Sequence, residues 1–204
     1  MQTLAATRAR LIASVHNNNH KYVESAFLYH GAPVLRGVKP AALMPLSACC
    51  LCAWRERKFI LRRASGLCTV EISTARGKFL LLIYDKHALQ SIMGREPNAL
   101  FLAEYGYPAH CELAETLEYL KGRFLGQGFP HEVGMFLGYP VEDVRGFIHN
   151  AGRDYICCRY WKVYSNAERA MEIFGKIDEA YSAAIDLIIQ SLPVHIAAKL
   201  LRWA

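Results

Sequence analysis

The segment from Phe129 to Tyr164 carries the side chains best suited to chemistry. His131 follows Pro130 and precedes Glu132. An imidazole at such a position can meet an anion or move a proton. Read as a strand, "HEVGMFL" points His131 and Glu132 to opposite sides, so the two form no dyad. Farther on, "YWKVY" alternates: Tyr160, Lys162 and Tyr164 share one strand face, and Trp161 and Val163 share the other. The first face reads in two ways. It can stack a planar ligand and pair with its acid group, or it can be a covered amphipathic face, since Lys and Tyr bury their stems well. Trp161 reads as core, as does Phe147 beside Val144 and Ile148. Tyr139, in the turn Gly138-Tyr139-Pro140, is the remaining candidate of this segment. Lys39 and Arg159 add cations that suit an anionic partner. Proton transfer by His131 or Tyr164 is the enzymatic alternative to simple binding.

The cysteines offer less. Cys49, Cys50 and Cys52 stand in "CCLC", and helical spacing puts Cys49 and Cys50 on an apolar stripe with Leu46 and Ala53. Structural zinc wants a second pair elsewhere in the chain, and none is present. These thiols read as small buried hydrophobes, with redox activity left open. Cys157 and Cys158 fall on opposite faces of a strand and cannot readily chelate one ion together. Glu142, Arg145 and His149 share a helix face and read as a solvated stripe with an ion pair. Walker, Gly-x-Ser-x-Gly, His-Glu-x-x-His and dinucleotide-binding signatures are all missing.

Composition narrows the classes. The chain has 204 residues, 53% hydrophobic and 21% charged, enough to bury a sizeable core. Its formal charge of +6 is mild. The densest basic run, "RERKFILRR" (Arg55–Arg63), is interrupted by Phe59, Ile60 and Leu61, so it reads first as one wet helix face. Nucleic-acid binding through it is a third and less favoured function. No apolar run reaches the length of a membrane span. Arg8 and Arg10 lie inside the N-terminal stretch rather than ahead of an apolar core, unlike a secretory signal. Seven cysteines in no framework spacing then imply free thiols in a cytoplasmic setting.

The elements that must position these residues follow from periodicity and punctuation. Leu4, Leu11, Ile12 and Val15 recur at helical spacing. Asn19 can cap a second helix that ends near Gly31. Pro40 is placed to open a short helix, and the stripe from Leu46 to Leu61 is amphipathic. The period changes at Gly66: 67–74 and 77–85 read as a β-hairpin. Helices are expected at about 86–94, 98–105 and along Leu113, Leu117, Leu120 and Phe124. "HEVGMFL" reads as a short strand, and Pro140 opens a helix with Glu142 and Asp143 in its first turn. After Gly152, "DYICCRYWKVY" reads as one strand. A Ser165–Glu168 capping box leads into a long helix that ends at Pro193, and a last short helix follows. The expectation is α+β: a helix-rich single domain around a small, mainly antiparallel sheet, with a helical part at 1–65 and a mixed part at 66–204.

Three stretches carry a resemblance. "FPHEVGMFLGYPVEDVRGFI" followed by "YWKVYSN", together with "APVLRGVKPAAL" and "LLLIYD" upstream, is similar to the bacterial domain-of-unknown-function family 3793. The likeness covers most of the chain. One departure is Arg159, where the resemblance implies a glycine just before Tyr-Trp. An uncharacterised family implies identity and fold but no activity. The residues themselves point to a small anionic or planar ligand; a haem- or flavin-like molecule would fit, but nothing in the sequence selects one. It would lie in a cleft formed by 129–143 and 160–164, with His131, Tyr139, Tyr160, Lys162, Tyr164 and Lys39 as its candidate contacts. No metal site is read, and cofactor and oligomeric state are left unassigned.

Overall fold

The computed structural model describes residues 18–108 and 111–203. The expected first helix with Leu4 to Val15 lies outside the described residues. Helices α1 (Asn19–Leu35) and α2 (Leu51–Ser65) flank strand β1 (Ala41–Leu46), and strands β2 (Cys68–Ser73) and β3 (Phe79–Tyr84) follow. Then come α3 (Lys86–Met93), α4 (Glu96–Glu104), α5 (Leu113–Phe124), the one-turn α6 (Val133–Phe136) and α7 (Val141–His149). Two short strands, β4 (Cys157–Cys158) and β5 (Lys162–Val163), precede α8 (Ala167–Ile189) and α9 (Val194–Trp203). The protein is α+β and rich in helix.

The main sheet runs β1-β3-β2, antiparallel throughout, with β3 in the centre. Its run "FLLLIY" is continuously apolar because both faces are covered. Leu81 and Ile83 join Ala42, Met44 and Leu46 in a core with α1, α2, α8 and α9. Leu82 joins Ala41 and Ile72 in a second core with α3, α4, α5 and α6. A third, smaller cluster gathers Trp161, Val163, Ala170, Phe174 and Ile177 where the β4–β5 hairpin meets α8.

Several expected elements differ, each for a physical reason. Asn18, not Asn19, caps α1, accepting from the amides of His20 and Lys21. That helix runs on through Pro33 to Leu35 instead of stopping at Gly31. The chain after Pro40 is the strand β1, not a helix. It lies at the sheet edge, where Pro45 leaves no ladder bond unmade. "HEVGMFL" is a turn and the helix α6, not a strand, because its apolar residues Val133, Met135, Phe136 and Leu137 are all buried. An alternating pattern would have left every second one wet. "CCRYWKVY" is a tight hairpin rather than one strand, with Cys157 opposite Val163 and Cys158 opposite Lys162. Asn166 caps α8 through the Arg169 amide, so the Ser165 box is not formed.

Asp143 explains where Ser165 went. This carboxylate, 2% exposed in the first turn of α7, accepts four hydrogen bonds. Trp161 Nε1 donates to Oδ2 at 2.8 Å. The amides of Tyr164 and Ser165 and the Ser165 hydroxyl donate to Oδ1 at 2.8, 3.0 and 2.9 Å. One buried anion thereby fixes helix, hairpin and the start of α8 to each other. Asp143→Ala strands all four donors. Urea unfolding is expected to show a loss of about 3–5 kcal/mol, in the range for breaking a buried charge network.

Candidate ligand cleft

Three segments build a cleft of about 350 Å³. The turn into α6 and α6 itself supply Phe129, His131, Val133, Gly134 and Leu137; the following turn and α7 supply Tyr139, Asp143, Val144 and Phe147. The β4–β5 turn supplies Cys158, Arg159, Tyr160, Trp161 and Lys162, and Leu43 of β1 also lines the cleft. Two glycines let these segments close up. A Cβ on Gly134 would stand 2.9 Å from Val144 Cγ2. Gly138 takes φ +80°, and a Cβ there would meet Pro40 Cδ at 2.4 Å. The chain can therefore leave α6 and enter α7 within four residues while lying against the start of β1.

The walls are aromatic. Tyr139 stacks on Trp161 at 4.8 Å between centroids, and Trp161 meets Phe174 edge-on at 4.4 Å. The His131 ring packs between Phe147 at 4.9 Å and Phe129 at 5.7 Å, and its nitrogens have no hydrogen-bond partner among the described residues. Lys162 Nζ donates to the Gly152 carbonyl and lies 4.8 Å from the Tyr155 ring, with no carboxylate paired to it among the described residues. Arg159 is paired, at 2.7 Å from Asp178, and the Tyr160 hydroxyl donates to the other Asp178 oxygen. Burial and that carboxylate push the Tyr160 phenol well above its ordinary range. Asp143 lines the cleft but its oxygens are already engaged, so it is a girder and not a base.

A family model described as "Protein of unknown function (DUF3793)" matches residues 27–196. The chain belongs to the DUF3793 family. No curated protein and no solved structure shows significant similarity to it.

In this DUF3793 chain, His131, Tyr139, Tyr160 and Lys162 come together on one cleft. Tyr164 and Lys39 do not line it. The Tyr164 ring lies against Gly146, where a Cβ would meet its Cγ at 2.4 Å, and its hydroxyl is occluded without a hydrogen-bond partner among the described residues. Lys39 sits behind the wall, its ammonium 5.1 Å from the centroid of the Tyr139 ring. Phe147, expected as core, is only half-buried and forms cleft wall. Its spacing from Val144 marks an inward face but cannot tell a filled core from a hollow. Cys158 and Arg159 also line the cleft. Their place at the tip of a hairpin could not be read from a segment that looks like one strand.

The other candidate groups resolve into structure. Glu132, 1% exposed, pairs with Arg123 Nε at 2.7 Å and ties α6 to α5. The hydrogen bond from Arg123 raises the pKa of that guanidinium, while burial pushes the neighbouring Tyr107 phenol far up. Arg145 binds Glu104 on α4 rather than Glu142 on its own helix. Only Cys50 of the "CCLC" run is buried; Cys49 and Cys52 are exposed, and all seven cysteines are free. The Ser47 hydroxyl lowers the Cys49 thiol pKa, and burial raises that of Cys50. Among the described residues, no group of three or more His, Cys, Asp or Glu is placed to hold a metal ion. No described helix is long and apolar enough to cross a membrane.

Two outcomes follow. Tyr164→Phe removes a buried, unpartnered hydroxyl, so thermal melts are expected to show unchanged or slightly raised stability, by up to about 1 kcal/mol. Burial lowers the Lys39 pKa to about 8. Between that value and the unfolded lysine value, the unfolded chain holds more protons than the folded one, so stability should rise with pH. Lys39→Met is expected to be more stable than wild type at neutral pH. That advantage should shrink as pH climbs from 8 towards 10, measured by parallel urea titrations.

Proposed function

We propose that this protein binds a small, planar, anionic ligand in the cleft between the α6–α7 corner and the β4–β5 turn. The observation that carries this reading is Lys162. It is a cation without a carboxylate partner among the described residues, held by the Gly152 carbonyl at the edge of a cleft walled by Phe147, Tyr139 and Trp161. Apolar walls with a few fixed polar groups are the usual composition of a small-molecule site. Aromatic faces suit a flat ring system, and the ammonium suits its acid group. His131 adds an uncommitted imidazole beside Phe129 and Phe147.

Binding is favoured over catalysis because the candidate proton-transfer groups are not gathered. Tyr164 is turned against Gly146, and no carboxylate among the described residues orients His131. A cytoplasmic setting and a single-domain organisation remain part of this reading. Contacts of α1 with β1, α2, α8 and α9 support the latter.

Flavin mononucleotide and naphthoate are suitable probes, followed by fluorescence titration. Saturable binding is expected to weaken roughly tenfold or more in Lys162→Met, the loss of a charge-assisted contact, with the melting temperature little changed. Tyr164→Phe should bind as wild type does. Saturable binding by neither probe would overturn the reading, and so would equal binding by Lys162→Met.

A further inference from the structure

We propose that the corner where α2 meets α9 is a docking surface for an anionic lipid bilayer, distinct from the cleft. The two helices pack together, and Arg202 Nη2 donates to the Ser65 carbonyl at 2.7 Å. That bond joins their C-terminal ends. Trp203, at the C-terminal end of α9, is 80% exposed, and Phe59 on α2 is 73% exposed. Such large aromatics in water mark a contact surface when they cluster.

The pattern on α9 is ordered. Ala197, Ala198 and Leu201 are buried against the protein, while Ile196, Leu200 and Trp203 recur at helical spacing on the opposite side and are all exposed. The helix is thus apolar on two sides. Its remaining polar positions are His195, Lys199 and Arg202, with no carboxylate anywhere along it. On α2, Arg57 and Lys58 are paired with Glu24 and Glu71, and Glu56 is taken by His20. Arg55, Arg62 and Arg63 are exposed and form no ion pair among the described residues. The two packed helices therefore carry exposed aromatic and aliphatic side chains together with exposed arginines that form no ion pair among the described residues.

Charge selects the occupant. A second copy of the chain would set these arginines against their own equivalents. A nucleic acid would satisfy the charge but gives Ile60, Ile196 and Leu200 nothing apolar to enter. An anionic bilayer satisfies both: lipid phosphates meet Arg62, Arg63 and Lys199, while Trp203 and the aliphatic stripe enter the headgroup boundary. Tryptophan favours that boundary for its amphipathic ring. The mode is peripheral, since no described helix can span.

The tryptophans supply the readout. Trp54 and Trp161 are buried and Trp203 is not, so a quencher carried by lipid reaches Trp203 first. The full chain is mixed with vesicles of phosphatidylcholine alone or with added phosphatidylglycerol, each containing brominated acyl chains. Co-sedimentation and quenching are expected only with the anionic vesicles and should fall with added salt. Trp203→Phe should still sediment but lose the quenching. Arg62→Gln with Arg63→Gln should lower partitioning by roughly an order of magnitude. Phe59→Ser should also lower it, with unchanged melting, because this side chain is largely exposed. Sedimentation without quenching, equal binding to neutral vesicles, or no binding would overturn the proposal. So would a shift to a dimer that shields Trp203 from acrylamide, or displacement of the protein from vesicles by a short DNA duplex.

Discussion

The Asp143 carboxylate is the constraint on which the candidate site depends. A buried anion must be satisfied or it destabilises the fold. Here the donors come from two places far along the chain, the Trp161 indole and the Tyr164–Ser165 backbone. Satisfying them dictates that the β4–β5 hairpin lie across the start of α7. The position in the first turn of α7 helps, because the positive end of the helix dipole favours the charge. Once the hairpin is held there, Lys162 reaches back to Gly152, which takes φ +72° just beyond the end of α7. The cleft is the space left between α7 and the hairpin that Asp143 holds across its start.

The second organising fact is a sheet buried on both faces. Three strands suffice because β3 sits between the other two and contributes to both cores. Alternation along β1 does the same at the edge: Ala42, Met44 and Leu46 face one core, and Ala41 and Leu43 face the other. Leu43 thereby reaches the cleft, which connects the small site to the central scaffold. A site supported by sheet on one side and by a hydrogen-bonded hairpin on the other is held firmly, as ligand orientation requires.

Polar residues that look alike in the sequence take separate roles. Glu132 and His131 are neighbours, yet the carboxylate is buried on Arg123 and the imidazole lies among aromatic rings at the cleft. Arg159 and Lys162 are both cleft cations, yet only Arg159 has a carboxylate partner, Asp178. The α2–α9 corner carries the opposite arrangement, with charges left open and apolar residues left wet.

By itself the sequence determined the elements whose signal is local. The β2–β3 hairpin, α3, α5 and the long α8 follow from periodicity, and "FLLLIY" is readable as strand. Pro140 and Gly152 mark the two ends of α7, since φ restriction and the left-handed turn are properties of single residues. His131, Tyr139, Tyr160 and Lys162 could be named as candidates because their types and their closeness along the chain suit a binding corner. Tertiary structure decided what depends on partners distant in sequence. Pro40 argues for a helix start, but pairing with β3 makes the segment an edge strand. "HEVGMFL" coils into α6 because Glu132 finds Arg123 and four apolar side chains find one core. Tyr164 shares its strand parity with Tyr160 and Lys162, yet the hairpin turn and the bare backbone of Gly146 take its ring elsewhere. Nothing local to Asp143 signals that it would bind an indole eighteen residues away. Long-range hydrogen bonds and shared cores are relations between segments, and a one-dimensional pattern records only the segments.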